Sequence, residues 1–251
     1  MPTFLDDKAT SKALVGIPRA EWPQGVDLKY EARRGRRRLY PVTITYAALC
    51  TGLMVWAAHR ALAVAAAGAF CGVFAWTFLE YLTNRYVLHG IFPNGRTSWQ
   101  KFLHKRFDGL HWFHHLRPWD GAHINGAIHD TAIFVALFFA LALWSGTPFA
   151  LAFVAALVAS YVVEEWVHHS VHFYRFKNPY FQYIRRHHLY HHSPRGDEIA
   201  FGLTSGFWDL VCGTRIPAAD RQLLYGPRGG RVNSVQPVAP VHGNSAPHSF
   251  A

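Results

Sequence analysis

The sequence has few cysteines and few charged residues. Its three cysteines, Cys50, Cys71 and Cys212, are widely separated and form no C-x-x-C pair. This argues against a disulfide framework and against a thiolate metal site, so any bound metal would have nitrogen and oxygen ligands. Charged residues make up 16% of the 251 residues, against about 25% in an ordinary soluble domain, while 51% are hydrophobic. That composition excludes a disordered chain and a coiled coil.

The sequence contains long runs without charged residues. Pro41–Ala58 and Ala61–Leu79 contain no charged residue, and neither does Thr131–Val163, which is interrupted by Gly146 and Pro148. A bilayer core needs about 20 helical residues. We therefore predict an all-α integral membrane protein with four transmembrane helices in two hairpins, at about 41–58, 61–80, 130–144 and 148–164. A soluble all-α protein is disfavoured because four such runs leave little else to form its core.

The charges that are present lie on one side of this arrangement. With these spans, both termini and the 81–129 loop share a side that carries 24 of the 25 Lys and Arg residues, all except Arg60. Basic residues accumulate on the cytoplasmic side of membrane proteins, so both termini are expected in the cytoplasm. The basic run at 33–38 precedes the first span, where it sets topology and contacts anionic lipid. No nucleic-acid recognition motif accompanies the net charge of +10, which argues against a nucleic-acid partner.

Composition divides the chain into three regions. Residues 1–40 are expected to form a cytosolic or interfacial segment, 41–225 the membrane domain, and 226–251 a disordered tail rich in Pro, Gly and Ser. The short loops and the Ala- and Arg-rich composition favour a bacterial inner membrane, with the endoplasmic reticulum as the location in a eukaryote.

The histidines are numerous and regularly spaced. Of 17, all but His59 fall on the predicted cytoplasmic side. The i, i+3, i+4 spacing occurs twice, which places each set on one region of a helix surface; the two sets are His111, His114 and His115, and His188, His191 and His192. Two further groups lie where the chain leaves the second and fourth predicted spans. They are Glu80 with His89, and Glu165 with His168 and His172. Because these exceed the ligands that one ion takes in a typical zinc site, we predict two ions in a cytosolic histidine-rich helical cap. Such ligands suit iron, zinc, copper or nickel.

Four motifs resemble those of the membrane di-iron, histidine-box fatty acid hydroxylase superfamily, and within it the fatty acid 2-hydroxylases. His111–Gly121 is similar to H-x-x-H-H-x-x-P-x-D-G, and Phe201–Thr214 is similar to F-G-x-T-S-x-x-W-D-x-x-x-G-T. Tyr161–His172 resembles the exit from the fourth span, and His188–His192 resembles the last histidine box. The likeness covers roughly residues 75–216.

The resemblance implies an O2-dependent non-haem di-iron monooxygenase that hydroxylates an acyl chain of a fatty acid or lipid. It implies two iron ions, for which zinc substitutes in purified protein, and an external electron donor, cytochrome b5-like or ferredoxin-like, since the chain has no H-P-G-G haem signature. By motif position it implies metal binding by His89, His111, His114, His115, His168, His172, His188, His191 and His192, with His104 as a weaker candidate. Glu80, Asp120, Glu165 and Asp209 are expected to orient ligating imidazoles.

One position departs from the family pattern. The first box, H-x-x-x-x-H, begins here with Asn84 and ends with His89. Either the Asn84 amide is a weak or water-mediated ligand, or the position tolerates any small polar residue and His104 completes the ligand shell.

Two other functions remain open. A lipid or sterol desaturase or a carotenoid hydroxylase of the same superfamily would use the same ligands. A membrane metal transporter would place its ligands near the bilayer midplane, whereas these histidines lie outside the predicted spans.

Overall fold

The protein is described by a computed structural model that covers residues 3–4, 25–89, 97–98, 102, 107, 109–193, 195–196 and 198–225. Helix α1 (Leu28–Leu82) continues into a π-helix (Thr83–Leu88), and the later helices are α2 (Gly109–Leu116), α3 (Ile128–Ser145), α4 (Pro148–Phe173), α5 (Pro179–His191), α6 (Phe207–Val211) and α7 (Ala218–Tyr225). Two short strands, β1 (Thr3–Phe4) and β2 (Tyr174–Arg175), pair antiparallel. The predicted helical class is confirmed for these residues, whereas His104 and the predicted tail 226–251 lie outside them.

Among the described residues, three helices are long and apolar enough to cross a membrane: the helical stretch Leu28–Leu88, α3 and α4. The first two predicted spans both fall within α1. This helix begins well before Pro41 because Asp27 caps it, its carboxylate accepting hydrogen bonds from the backbone N–H groups of Lys29 and Tyr30. The helix therefore extends through the basic run into the first apolar stretch.

Helix α1 is interrupted at Ala61, whose φ of −163° and ψ of 91° are not helical. Before the break, Tyr40 packs against Trp166 and Tyr46 against Tyr161. Residue numbers thus rise along this arm as they fall along α4. The arm before Ala61 is antiparallel to α4.

The arm after Ala61 runs the other way. Gly68 lies beside Phe149 at the start of α4, and Trp76 packs edge-on against Tyr161, further along. This arm is therefore parallel to α4, and the chain reverses direction at Ala61. The Arg60 guanidinium donates a hydrogen bond to the Gly146 carbonyl oxygen at 2.8 Å. The turn at Ala61 and the turn at Gly146, between α3 and α4, therefore meet at one end of the bundle.

Helix α4 is the centre of the bundle. In its apolar 18-residue stretch, 67% of the residues are buried, against 17% in the corresponding stretch of α3. Its apolar side chains, including Leu151, Leu157 and Val158, pack with Tyr46 and Leu53 of the first arm. The packing fixes the far end of α4, where the histidines lie, against both arms of α1.

Close packing at Gly72 makes that position sensitive to substitution. A Cβ there would lie 2.2 Å from the Phe153 carbonyl oxygen, whereas a Cβ at Gly52 would have no heavy atom within 4 Å. We expect Gly72→Leu to lower the midpoint of thermal unfolding in detergent, since overpacking typically costs about 1–3 kcal/mol. Gly52→Leu is the matched control, with the same gain in helix propensity and no clash. Equal midpoints for the two variants would contradict the close approach of α1 and α4.

Candidate metal centre

Nine of the histidines in the described part of the chain form two groups at the end of the bundle opposite the two turns. One group is entirely buried and contains His114, His168, His172, His188 and His192. The other is partly buried and contains His89, His111, His115 and His191. Within each group, one ring nitrogen from every member lies within 4.8 Å of the others.

Helical periodicity explains how the members divide. On α2, His111 and His115 are four residues apart and lie in the same group, while His114 belongs to the other. At the end of α5, His188 and His192 are likewise paired, and His191 belongs to the opposite group. Residues at i and i+4 share a helix face, so each of these two segments supplies both groups.

The two groups are in direct contact. The rings of His115 and His192 stack with centroids 4.1 Å apart and planes 20° from parallel. His115 belongs to the four-histidine group and His192 to the five-histidine group. The arrangement is therefore one continuous centre with two ligand sets.

The ring nitrogens crowd together in a way that hydrogen bonds alone do not satisfy. His188 Nε2 lies 2.8 Å from His172 Nε2 and 3.0 Å from His192 Nε2. In the other group, His111 Nε2 lies 3.0 Å from both His89 Nε2 and His115 Nε2. A neutral imidazole has one N–H and one acceptor nitrogen, so a single Nε2 cannot make two ordinary hydrogen bonds of this kind. A cation between converging lone pairs removes the conflict, so both groups fit a metal ion.

Burial keeps these rings in the neutral form that binds metal. It lowers the pKa of His89 to about 3, helped by the nearby charge of His191, and lowers the pKa of His191 to about 4. Burial, together with repulsion between neighbouring imidazoles, also holds the pKa of other ring members well below the usual histidine range; these are His111, His114, His115, His188 and His192. Metal binding to these rings therefore requires no loss of a proton.

A cavity of about 210 Å³ adjoins both groups. His111 of the four-histidine group and His114 and His168 of the five-histidine group line it. Trp76 and Tyr161 also belong to its wall. The cavity therefore gives a bound molecule access to both ligand sets.

Two of the acidic residues expected to orient imidazoles accept hydrogen bonds from loops. Glu80 accepts hydrogen bonds from the backbone N–H of Leu203 and from the N–H and hydroxyl of Thr204. Glu165 accepts from the Asn125 side-chain amide at 2.8 Å and from the Gly126 N–H. Each carboxylate holds a loop from a distant part of the chain against α1 or α4.

Asp209 and Asp120 have similar roles. Asp209 is fully buried and accepts hydrogen bonds from the N–H groups of Phe201 and Gly202, the Thr214 hydroxyl and His187 Nε2. Burial alone would raise the pKa of the Asp209 carboxyl, but the hydrogen bond and charge of His187 and the other donors hold it below its usual range. The imidazole that Asp209 contacts is thus His187, which is outside both metal groups.

Asp120 fixes the loop after α2 to the start of α1. It accepts from the Ala122 N–H and from His123 Nδ1, and its Oδ1 lies 3.1 Å from the Arg34 guanidinium. These described partners include none of the ten predicted ligands. The far nitrogen of one such ligand, His191 Nδ1, is instead 2.9 Å from the Ile199 carbonyl oxygen.

Asn84 is buried beside the cavity and belongs to neither histidine group. Its Nδ2 donates to the Phe201 carbonyl oxygen at 2.7 Å, while its Oδ1 has no hydrogen-bond partner in the described structure. The oxygen that the sequence interpretation considered as a weak ligand is therefore free, and the nitrogen positions the Phe201 segment.

Sequence analysis missed two buried acids of the described cavity wall, Glu164 and Asp130. The spacing of Glu165 to His168 and His172 drew attention to Glu165, which also lines the cavity, rather than to Glu164. Glu164 precedes these histidines by four and eight residues, so it lies on their side of α4. That i, i+4, i+8 pattern was the available signal.

Comparison with known proteins identifies one family. The fatty acid hydroxylase family matches residues 69–214. A dihydroceramide fatty acyl 2-hydroxylase of Arabidopsis thaliana is 32% identical over 144 residues, which cover 57% of this chain and 58% of that protein. A fatty acid 2-hydroxylase of Rattus norvegicus is 29% identical over 149 residues, 58% of this chain and 38% of that protein.

A solved structure is also similar. Full-length scs7p, of which only the hydroxylase domain is visible, aligns with a TM-score of 0.58 and 27% identity, covering 71% of this chain and 67% of that one. A ceramide very long chain fatty acid hydroxylase of Schizosaccharomyces pombe is 28% identical over 187 residues and is matched over 49% of its length. The chain thus spans about half the length of the curated relatives it matches.

Proposed function

The chain belongs to the fatty acid hydroxylase family, and from this we propose that it is an O2-dependent oxidoreductase that hydroxylates an acyl chain of a fatty acid or lipid. The observation that carries the proposal is the pair of histidine groups beside one cavity. Relatives with 28–32% identity are named as acyl 2-hydroxylases or ceramide hydroxylases, which supports the same class of reaction.

We assign metal binding to the nine histidines of the two groups. Two iron ions bound there would activate O2 with electrons supplied by a separate cytochrome b5-like or ferredoxin-like protein. Zinc is an expected substitute in purified protein, because imidazole ligands suit both metals. His104 remains a further candidate ligand.

The protein side chains hold the reacting groups and exclude water. All five histidines of one group are buried, and the cavity wall beside them includes Trp76, Leu88 and Phe107. An acyl chain bound in this cavity would present one carbon to the centre. Because alkyl carbons differ little in reactivity, the position of the chain rather than its chemistry would select the carbon oxidised.

We further propose that the bundle crosses the membrane four times, as two hairpins, with the histidine end and both termini in the cytoplasm. The reversal of α1 at Ala61 and the turn at Gly146 supply the two hairpin ends. The basic residues near the start of α1 favour this orientation. A C-terminal fusion to a reporter that works only in the cytoplasm should be active, and a fusion to a reporter that works only on the other side of the membrane should be inactive.

Lipid mass spectrometry of cells with and without the chain tests the reaction. We expect a lipid acyl chain heavier by one oxygen atom only when the intact chain is expressed. Loss of two hydrogens instead would identify a desaturase. Unchanged lipids with altered metal uptake would support a transporter.

Substitution of Asn84 separates its two possible roles. If its Oδ1 contributes to the centre, Asn84→Ala should lower hydroxylated product and Asn84→His should keep or increase bound metal while also lowering turnover. Each is measured as product per unit of protein, with metal content determined by elemental analysis. Full activity and full metal content in Asn84→Ala would exclude the amide from the centre and favour His104 as an additional ligand.

A further inference from the structure

The segment Phe201–Thr214 carries one of the four family motifs, yet none of its residues belongs to either histidine group. It contains the short helix α6, in which Phe207, Leu210 and Val211 are 50%, 56% and 58% exposed. At positions i, i+3 and i+4, these three side chains share one face of the helix. A contiguous apolar face of this kind indicates a partner that covers it.

Both ends of the segment are held at the histidine end of α1. Near its start, the N–H and the hydroxyl of Thr204 donate hydrogen bonds to the Glu80 carboxylate. At its end, the Thr214 hydroxyl lies 3.1 Å from the Tyr81 hydroxyl. The chain therefore leaves α1 and returns to it at the same level, that of Glu80 and Tyr81.

The middle of the segment reaches further along α1, away from the histidines. The Trp208 ring packs against the rings of Phe78 and Phe74, at centroid distances of 4.5 and 5.6 Å. Phe74 precedes Glu80 by six residues, which is a rise of about 9 Å along an α-helix. Residues 204–214 thus form a loop, the α6 loop, that descends along the apolar arm of α1 and returns.

Arginines mark the level from which the α6 loop descends. Arg85 follows Tyr81 by one turn and donates a hydrogen bond to its hydroxyl at 2.7 Å, and the exposed Arg215 immediately follows the loop. By contrast, Ala61–Leu79 contains no charged residue. Arginine side chains near the end of a membrane helix extend towards the lipid headgroups, so α6 lies on the hydrocarbon side of this boundary.

Internal hydrogen bonds satisfy polar groups of the α6 loop, which a position in lipid requires. The buried Asp209 carboxylate accepts from the N–H groups of Phe201 and Gly202. The N–H groups of Leu210 and Cys212 donate to the carbonyl oxygens four residues earlier. The surface that the loop presents outward is therefore the apolar face of α6.

We propose that the α6 loop inserts into the lipid leaflet on the histidine side of the membrane, with Phe207, Leu210 and Val211 in contact with lipid acyl chains. Trp208 makes this face continuous with the lipid-facing side of α1, which favours lipid over a protein partner. Interfacial helices bury their apolar face by about 5–10 Å, which matches the descent of the loop. The insertion adds a lipid contact to those of the proposed spans and depends on the position of α1 in the membrane, not on the hydroxylase reaction.

Site-directed spin labelling of the full-length chain in phosphatidylcholine and phosphatidylglycerol vesicles tests the proposal. The three native cysteines are replaced by alanine, and a nitroxide is attached at Leu210→Cys, with Val211→Cys as a second reporter. Phe70→Cys, 74% exposed on the apolar arm of α1, is the lipid control, and Glu198→Cys, at an exposed acid, is the water control. Collisions are measured with O2, which concentrates in hydrocarbon, and with a water-soluble nickel chelate present on both sides of the membrane.

The ratio of O2 to nickel collisions at Leu210 and Val211 should match that at Phe70 within about twofold. It should exceed the ratio at Glu198 by at least about tenfold, a difference of about 1.4 kcal/mol in partitioning. A ratio like that at Glu198 would overturn the proposal, and so would shielding of both labels from both reagents, which would show that protein covers α6.

A water-like ratio at Phe70 as well would reject the position of α1 in the membrane together with the insertion of the loop. Because no turnover is measured, the proposal is judged separately from the hydroxylase activity. Hydroxylated lipid in cells together with a water-like ratio at Leu210 and Val211 would leave the proposed reaction standing and reject the insertion.

Discussion

His114→Ala and His191→Ala should each abolish hydroxylated product while the protein remains in the membrane. The two residues belong to different groups, and each is at most 1% exposed. Removing a residue that only orients a metal ligand typically costs 10–100-fold, so loss of a ligand should reduce product by more than about 100-fold. Product is measured by lipid mass spectrometry and divided by the amount of membrane-inserted protein.

His59→Ala is the matched control. His59 is exposed and lies next to the turn at Ala61, at the opposite end of the bundle from the histidine groups. It should retain full activity, and so should His248→Ala in the predicted tail. If His59→Ala lost as much product as His114→Ala, the grouping of the histidines would not explain the activity.

Purified protein should contain about two metal ions per chain, one for each ligand set. The double variant His172→Ala/His188→Ala removes two buried members of the five-histidine group and should reduce the content to about one. His111→Ala/His115→Ala should do the same through the other group. Combining all four substitutions should leave essentially none, as measured by elemental analysis.

Fewer than one ion in the metal-replete wild-type protein would exclude a two-metal centre. Loss of both ions in each double variant would instead show that the two groups bind metal only together. His59→Ala again provides the control and should retain about two ions.

Local sequence patterns predicted the parts of this protein that depend on neighbouring residues. The uncharged runs predicted apolar helices because a helix that crosses a bilayer core needs about 20 predominantly apolar residues in a row. The i, i+3, i+4 spacing predicted that all three histidines of each set share one region of a helix surface, because an α-helix repeats every 3.6 residues. In each set the structure places the i and i+4 members in one group, whereas the third member, His114 or His191, belongs to the other group.

The length of α1 depended on features that the hydrophobic pattern does not contain. The cap at Asp27 and the basic residues that follow it extend the helix beyond the apolar run. The reversal at Ala61 occurs between two apolar stretches separated only by His59 and Arg60. The contacts of both arms with α4 show the change of direction, and these contacts join residues far apart in the sequence.

The sequence by itself determined the helical class, the apolar segments and the histidine-rich end, since each follows from residues within a few turns of one another. Only the tertiary structure decided which histidines share a group and what the acids do. Glu80 binds Thr204, 124 residues away, and Asp209 binds His187 of α5. Glu164 and Glu165 are adjacent, chemically identical and both part of the cavity wall, yet Glu165 also accepts the Gly126 N–H and so holds a loop. Their difference arises because successive helical residues point about 100° apart, and only packing decides what each direction meets.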